Sequence, residues 1–195
     1  MARPKSAEKR NAILLAAIRV FSQGGLAAPT SEISEAAGVA EGTLFTYFPT
    51  KDDLIRAVYR DIRREVATAI LSGFPRNQDV QDRMHHVWDQ FVGWGAAHPE
   101  AHRVATQIGE WHGFKGEHSE TDLAVRDEFA AMQRALRQRR PHRDFSPELV
   151  QAAVDALGEM TIELMQRNPE RASRYRRAGF QLLWTGLAGG APSAD

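Results

Sequence analysis

Residues 29–54 read PTSEISEAAGVAEGTLFTYFPTKDDL, and this stretch decides the fold of the first part of the chain. Its first half predicts a short helix, because Ile33 and the alanines at 36 and 37 form a small apolar face that a neighbouring helix can approach closely. Gly38 then predicts a sharp turn, since glycine adopts left-handed backbone angles without a side-chain clash. The pattern therefore predicts a helix that ends at a tight glycine corner.

A second short helix is predicted beyond this corner. Leu44 and Phe48 are four residues apart and can both face the core, which leaves Thr43 and Thr46 to point elsewhere. Threonine hydroxyls can bond to phosphates or base edges, and their methyl groups can touch thymine. Gly42 removes a side chain that would keep the backbone away from DNA. Two short helices joined in this way form a helix-turn-helix, whose second helix fits the major groove.

The composition of the chain limits what kind of protein it can be. Helix–glycine–helix corners also occur in helical proteins that never bind DNA, so the pattern alone leaves that alternative open. The 25 basic and 25 acidic side chains cancel, and any DNA affinity must come from a local patch such as the basic residues at positions 3, 5, 9 and 10. There is no cysteine, which excludes disulfides, thiolate metal sites and cysteine nucleophiles. No apolar run reaches the roughly 18 residues of a membrane span, and we expect a cytoplasmic protein.

The rest of the chain has the apolar spacing of helices, and no stretch alternates convincingly with a period of two. Glycine and proline separate the periodic segments, at positions that include Gly24, Gly25, Pro99, Pro147 and Pro169. Thr50, with Asp53 three residues later, predicts a capping box at the start of the helix that begins near Lys51. We therefore predict an all-α protein with about nine helices.

The arrangement IxxAAGVxxGTLFxYFxxKxxL, preceded by an amphipathic helix, closely resembles the DNA-binding domain of the TetR family. The matching residues are Ile33, Ala36, Ala37, Gly38, Val39, Gly42, Thr43, Leu44, Phe45, Tyr47, Phe48, Lys51 and Leu54. Outside roughly residues 8 to 60, the chain resembles the family only in helix content and length. The resemblance implies an N-terminal three-helix DNA-binding domain with a helix-turn-helix at residues 1–50, and a helical-bundle effector-binding and dimerisation domain at residues 51–195.

The resemblance also implies a function. The chain would be a transcriptional regulator rather than an enzyme: a ligand-responsive repressor that binds a pseudo-palindromic, double-stranded operator as a homodimer. Thr30 and Ser31 would open the first helix of the motif against the phosphate backbone. The residues that meet the groove would be Gly42, Thr43, Phe45 and Thr46, and those that hold phosphates would be Tyr47 and Lys51.

Two residues depart from the family pattern. Phe45 replaces the tyrosine that is common there, so a phenolic hydrogen bond is lost. Glu41 stands where many relatives carry a basic or small residue. An acid at this place repels phosphate unless it caps the helix or accepts a hydrogen bond from a cytosine amino group.

Aromatic and methionine side chains cluster in the middle of the chain, and the resemblance places some of them around a small-molecule effector. The residues that we predict to bind it are Trp88, Phe91, Trp111 and Met132, which would suit an apolar or aromatic compound. The alternative for each residue is a place in the ordinary core. Two later apolar stripes occupy the positions of the helices that pair in the family's dimers, and their residues are Leu157, Met160, Leu164, Phe180, Leu183 and Trp184.

The seven histidines suggest an alternative function, that of a helical metal-binding protein or enzyme. His98 and His102 have the spacing that puts two ligands on one helix face. Pro99 is expected to begin that helix, however, which leaves His98 at its boundary. No nucleophile and base stand at a recognisable spacing. We therefore predict no metal ion, no cofactor and no catalytic residue.

Overall fold

The computed structural model describes residues 6–110, 120–139 and 146–188. Within these ranges the chain forms nine α-helices, one short 3₁₀ turn and no strand, so the predicted all-α fold is confirmed. The helices are α1 (Ala7–Gly24), α2 (Thr30–Ala36), α3 (Glu41–Tyr47), α4 (Lys51–Leu71), α5 (Val80–Ala97), α6 (Pro99–Glu110), α7 (Glu120–Arg139), α8 (Pro147–Arg167) and α9 (Ala172–Ala188). None of the described helices is long and apolar enough to cross a membrane.

The described residues divide into two compact units. The first unit contains residues 6–64 and 98–110, and the second contains residues 65–97, 120–139 and 146–188. Helix α4 contributes residues to both units, and α6 belongs to the first unit although it follows α5 in sequence. The functional boundary between residues 50 and 51 concerns DNA and effector binding, and it stays a prediction.

Helix α1 has a defined signal at each end. At its start the Ser6 hydroxyl accepts a hydrogen bond from the backbone N–H of Lys9, which is the usual role of an N-cap serine. At its end Gly25 has a φ of 72° and donates its N–H to the Phe21 carbonyl oxygen at 2.9 Å. Between these ends Ile13 and Phe21 are fully buried. The helix thus supplies the apolar face on which the first unit is built.

Helix α6 packs on α1 within the first unit. Val104 and Ile108 are fully buried there. Arg103 Nη1 donates to the carbonyl oxygen of Ser22 at 3.3 Å, near the end of α1. The last carbonyl groups of a helix lack partners inside that helix, so this bond satisfies one that would otherwise need water.

The second unit is built on the α8–α9 pair, against which α5 packs. Two glycines permit the close approach of these helices. A Cβ atom at Gly158 would lie 2.5 Å from the ring of Phe91, and one at Gly179 would lie 2.5 Å from both Thr161 Oγ1 and the ring of Trp88. Distances this short are not tolerated between non-bonded atoms, so the packing of both helices depends on glycine at these positions.

Polar bonds join α9 to α5 at the same place. Arg176 Nε donates to Asp89 Oδ1 at 2.7 Å, and Arg176 Nη2 donates to the Asp89 carbonyl oxygen at 2.8 Å. The carbonyl oxygen of Arg176 in turn accepts a hydrogen bond from Trp88 Nε1 at 2.9 Å. The indole is therefore held at its nitrogen as well as packed along its ring.

Candidate nucleic-acid interface

Gly38 forms the corner between α2 and α3. Its φ is +65°, and nothing lies within 4 Å of the place where a Cβ atom would stand, so the backbone angle rather than space requires glycine. The N–H of Gly38 donates to the carbonyl oxygen of Glu35 at 3.0 Å, and the N–H of Val39 donates to that of Ser34 at 3.0 Å. These bonds end α2 and set the direction in which α3 leaves the corner.

Helix α3 has one buried and one exposed side. Leu44 is fully buried and Phe48 nearly so, as their four-residue spacing predicts. The exposed residues of the helix are Glu41, Gly42, Phe45 and Thr46. Glu41 is the only charged residue of α3, and nothing lies within 4 Å of a Cβ atom built at Gly42. Because Gly42 has no side chain, the backbone at the start of this helix can come close to the floor of a groove.

Two threonine hydroxyls at this surface donate to acceptors within the protein. Thr46 Oγ1 donates to the Gly42 carbonyl oxygen at 2.8 Å, and Thr30 Oγ1 donates to Glu41 Oε1 at 2.9 Å. Each hydroxyl oxygen can still accept a hydrogen bond. Sequence reasoning missed the Thr30–Glu41 pair, because the two residues are eleven apart and meet only through the corner at Gly38.

Tyr47 joins the end of α3 to the start of α1. Its phenolic oxygen accepts a hydrogen bond from the backbone N–H of Ser6 at 2.8 Å. The sequence predicts a phosphate contact for Tyr47, and the structure adds this second role. The two residues are 41 apart, so no local pattern could have revealed the bond.

The predicted capping box at the start of α4 is present. The Asp53 N–H donates to Thr50 Oγ1 at 3.1 Å, and the Thr50 N–H donates to Asp53 Oδ2 at 3.2 Å. Lys51 is thereby the first residue of α4, and its side chain is half-buried. Lys51 therefore adds a positive charge to the helix end whose first-turn N–H groups lack partners inside the helix.

All eight predicted DNA-binding residues lie in α2, in α3 or at the start of α4, and none of them is fully buried. Ser31 is exposed on α2, and Thr43 is half-exposed on α3. The motif therefore brings these residues into one short segment of the first unit. Their contact with DNA stays a prediction.

Residues 13–58 match the family model described as "Bacterial regulatory proteins, tetR family". A solved structure of a putative tetR family transcription regulator from Shewanella sp. PV-4 is 25% identical, covering 93% of this chain and 98% of that chain, with a TM-score of 0.69. Residues 13–58 therefore carry the DNA-binding domain of the TetR family. It is a DNA-binding transcription regulator.

Two further solved structures share the TetR-like fold. One is a TetR-like transcriptional regulator from Rhodococcus sp. RHA1, 19% identical, covering 96% of this chain and 100% of that chain, with a TM-score of 0.72. The other is the fatty acid degradation regulator FadR from Bacillus halodurans, 17% identical, covering 93% and 96%, with a TM-score of 0.68. The likeness in fold covers the second unit of the chain as well as the first.

Three of the four predicted effector-binding residues lie in or beside the core of the second unit. Trp88 and Met132 belong to the buried core cluster, and Phe91 is partly buried against it. Trp111 lies outside the described residues. Trp88 is 1% exposed, and its indole N–H already has a partner. Effector binding by these residues stays a prediction.

The predicted dimer residues divide between the core and the surface. Phe180 and Leu183 are buried in the core of their own subunit, and Leu157 and Trp184 are partly buried against it. Leu164 is partly buried. Met160 is 42% exposed. Leu182, which the sequence analysis did not single out, is 61% exposed. Leu182 follows Phe180 by two residues and therefore lies on a different side of α9 from the predicted apolar stripe.

Two of the described histidines, His85 and His86, contact neighbouring helices of the second unit. His86 Nε2 lies 2.9 Å from the Ile70 carbonyl oxygen, and the His85 ring lies 4.4 Å from that of Phe180, centroid to centroid. Within the described part of the chain, no group of three or more histidine, cysteine, aspartate or glutamate side chains could hold a metal ion. The spacing of His98 and His102 therefore gains no third ligand from these residues.

Proposed function

We propose that this TetR-family regulator is a ligand-responsive repressor that binds a pseudo-palindromic operator as a homodimer. The observation that carries the proposal is the exposed side of α3, which presents Gly42, Phe45 and Thr46 next to a corner fixed by Gly38. A helix with small residues and few charges at its surface suits the major groove, where close approach is needed to reach base edges. Residues 1–50 would form the DNA-binding domain, and residues 51–195 the effector-binding and dimerisation domain.

Groove and phosphate contacts would be divided between the helices. Gly42, Thr43, Phe45 and Thr46 would meet the groove, and Phe45, which is 38% exposed, could touch a thymine methyl group. The phosphate contacts would come from Ser31, Tyr47, Lys51 and the backbone N–H of Thr30, whose hydroxyl proton is already donated to Glu41. Such contacts position the protein on the duplex, while the groove contacts select the sequence.

Dimerisation would use the outward faces of α8 and α9. Along α8 the exposed residues Leu149, Ala152, Ala156 and Met160 follow one another at helical spacing, and Leu182 is exposed on α9. The small residues would let the helix pair of a second subunit approach closely. Burial of the larger apolar residues would then stabilise the dimer, because their surface is removed from water. Phe180 and Leu183 would support this interface from within their own subunit. A two-fold dimer would set the recognition helices about 34 Å apart, which matches successive major grooves.

The effector would be a small apolar or aromatic molecule that binds among Trp88, Phe91, Trp111 and Met132. Helix α4 carries the proposed signal, because it begins at Lys51 beside the recognition helix and continues as far as Leu71 in the second unit. A ligand can lower operator affinity only to the extent that it binds the DNA-incompetent state more tightly. The switch therefore requires that effector and operator oppose each other.

Genome-wide selection of bound DNA fragments by the purified protein tests the proposal. We expect an enriched inverted repeat with half-sites separated by about one helical turn of DNA. The matched control is the Thr43→Ala, Lys51→Ala double variant, which should lose the enrichment but keep its helical circular dichroism. Equal enrichment by both proteins, or none by the wild type, would contradict the proposed contacts. Equal operator affinity with and without bound effector would contradict the switch alone.

A further inference from the structure

Glu41 places a carboxylate on the side of α3 that the proposed function assigns to DNA. It is the first residue of the helix and is exposed. An exposed carboxylate beside a phosphate backbone costs binding energy, since like charges repel and the group loses water on binding. The acid is therefore a liability for the regulator unless the DNA offers it a hydrogen-bond donor.

The alternative role for this acid, a helix cap, is not what the structure contains. The residue before α3 is Ala40, which makes no side-chain cap. Glu41 Oε1 instead accepts a hydrogen bond from Thr30 Oγ1 at 2.9 Å, which joins the first residues of α2 and α3. This bond restricts the rotation of the carboxylate and leaves most of its acceptor capacity unused. Thr30 thus positions an acceptor at the start of the recognition helix.

The major groove offers few donors to such an acceptor. They are the amino groups of cytosine N4 and adenine N6. On adenine the acceptor N7 lies next to the amino group and would face the second carboxylate oxygen, whereas on cytosine the neighbouring groove atom is a C–H. Gly42, the next residue, has open space around it, so the backbone can bring the carboxylate close to a base edge. Cytosine is the base that suits Glu41.

We propose that Glu41, positioned by Thr30, determines operator specificity by accepting a hydrogen bond from the N4 amino group of a cytosine in each half-site. This inference rests on the proposed operator binding. A thymine or guanine at that position turns an acceptor toward the carboxylate and lowers affinity by about tenfold. The acid thus contributes to selection chiefly by rejecting the other bases.

The first test compares the sequences selected by four proteins from random DNA. The wild type should select cytosine at one position of each half-site. Glu41→Gln should change that preference to adenine, because a glutamine amide pairs with N6 and N7 together. Glu41→Ala should accept any base there. Glu35→Gln, which removes one exposed negative charge from α2, is the control and should keep the cytosine.

The second test changes a single group on the DNA. In an operator with that cytosine replaced by 2-pyrimidinone, which lacks the amino group, fluorescence anisotropy should give an affinity about tenfold lower for the wild type. Glu41→Ala should lose much less, although the duplex is weakened equally. Thr30→Val, which keeps its shape but cannot donate, should reduce the preference for cytosine over thymine while the protein stays folded.

The possible outcomes distinguish a failure of the proposed role of Glu41 from a failure of the proposed operator binding. If the wild type selects a clear inverted repeat and the Glu41 variants select the same bases at every position, operator binding stands and the role of Glu41 is overturned. If the amino group can be removed without a larger loss for the wild type than for Glu41→Ala, the role is overturned as well. If the wild type enriches no sequence, both the operator binding and this inference are contradicted.

Discussion

Gly179→Ala tests the packing of α9 against α5 and α8. The added Cβ atom would stand 2.5 Å from Thr161 Oγ1 and 2.5 Å from the Trp88 ring, both of which are 1% exposed. The ring cannot retreat freely, because its N–H is bonded to the Arg176 carbonyl oxygen on the same helix α9. Overpacking of a filled core costs about 1–3 kcal/mol, and alanine recovers up to about 1 kcal/mol through its better helix propensity. We expect a net loss of about 1–2 kcal/mol in the free energy of unfolding.

Urea unfolding followed by circular dichroism and tryptophan fluorescence measures this loss. With a slope of roughly 2 kcal/mol per molar urea, the midpoint should fall by about 0.5–1 M. Gly186→Ala is the control on the same helix, since nothing lies within 4 Å of its Cβ position, and it should leave the midpoint unchanged or raise it. A concentration series separates any effect on association from an effect on folding.

A double variant checks that the clash is the cause. Trp88→Phe removes the ring atoms nearest to the new methyl group, so the cost of Gly179→Ala should be smaller in the Trp88→Phe background than in the wild type. A Gly179→Ala protein as stable as the wild type would mean that these helices are not packed as closely as described. Strict additivity of the two changes would mean that the loss does not arise from the contact with Trp88 and would leave Thr161 Oγ1 as the atom that the new methyl group meets.

Three further predictions concern the corner, the α1–α3 bond and the dimer. Gly38→Ala should lower the free energy of unfolding by about 1–2 kcal/mol, because φ is +65° there; an unchanged thermal melt would contradict this. Tyr47→Phe removes the acceptor for the Ser6 N–H and should cost about 1 kcal/mol by the same measurement, together with some operator affinity; stability and affinity equal to the wild type would exclude a role for the bond. Met160→Glu, Leu182→Glu should sediment as a monomer, while Leu15→Glu, an equally drastic change at an exposed leucine of α1, should sediment like the wild type; a dimer in both would place the interface elsewhere.

The helix-turn-helix could be predicted from sequence because its signals are local. Gly38 marks the corner, Leu44 and Phe48 mark the buried side of α3, and Thr50 with Asp53 marks the start of α4. Each depends on residues at most four apart, whose relative positions follow from helix geometry. The exposure of the residues that we propose to face the groove then follows, because a helix with one side buried must present the other side to solvent.

The bonds that hold the motif in place could not be predicted in this way. Thr30 bonds to Glu41 across the corner at Gly38. Tyr47 bonds to Ser6, although almost all of α1, α2 and α3 lies between them in the sequence. Such pairs depend on the packing of whole helices, which periodicity does not specify. The same reason applies to Phe180 and Leu183, because their spacing predicts an apolar stripe but not that both residues are buried in the core of their own subunit.

The sequence by itself determined three things: that this chain is helical, where its recognition helix begins and which family it resembles. Each of them depends on the spacing of residues that are close together in the sequence. Only the tertiary structure decided which side of α8 and α9 faces outward, which glycines are required by close packing and which donor holds the carboxylate of Glu41. An apolar stripe states that a surface will be buried, but not against what. The partner is selected when helices distant in sequence pack together, since only then do shape and hydrogen bonding decide among the possible contacts.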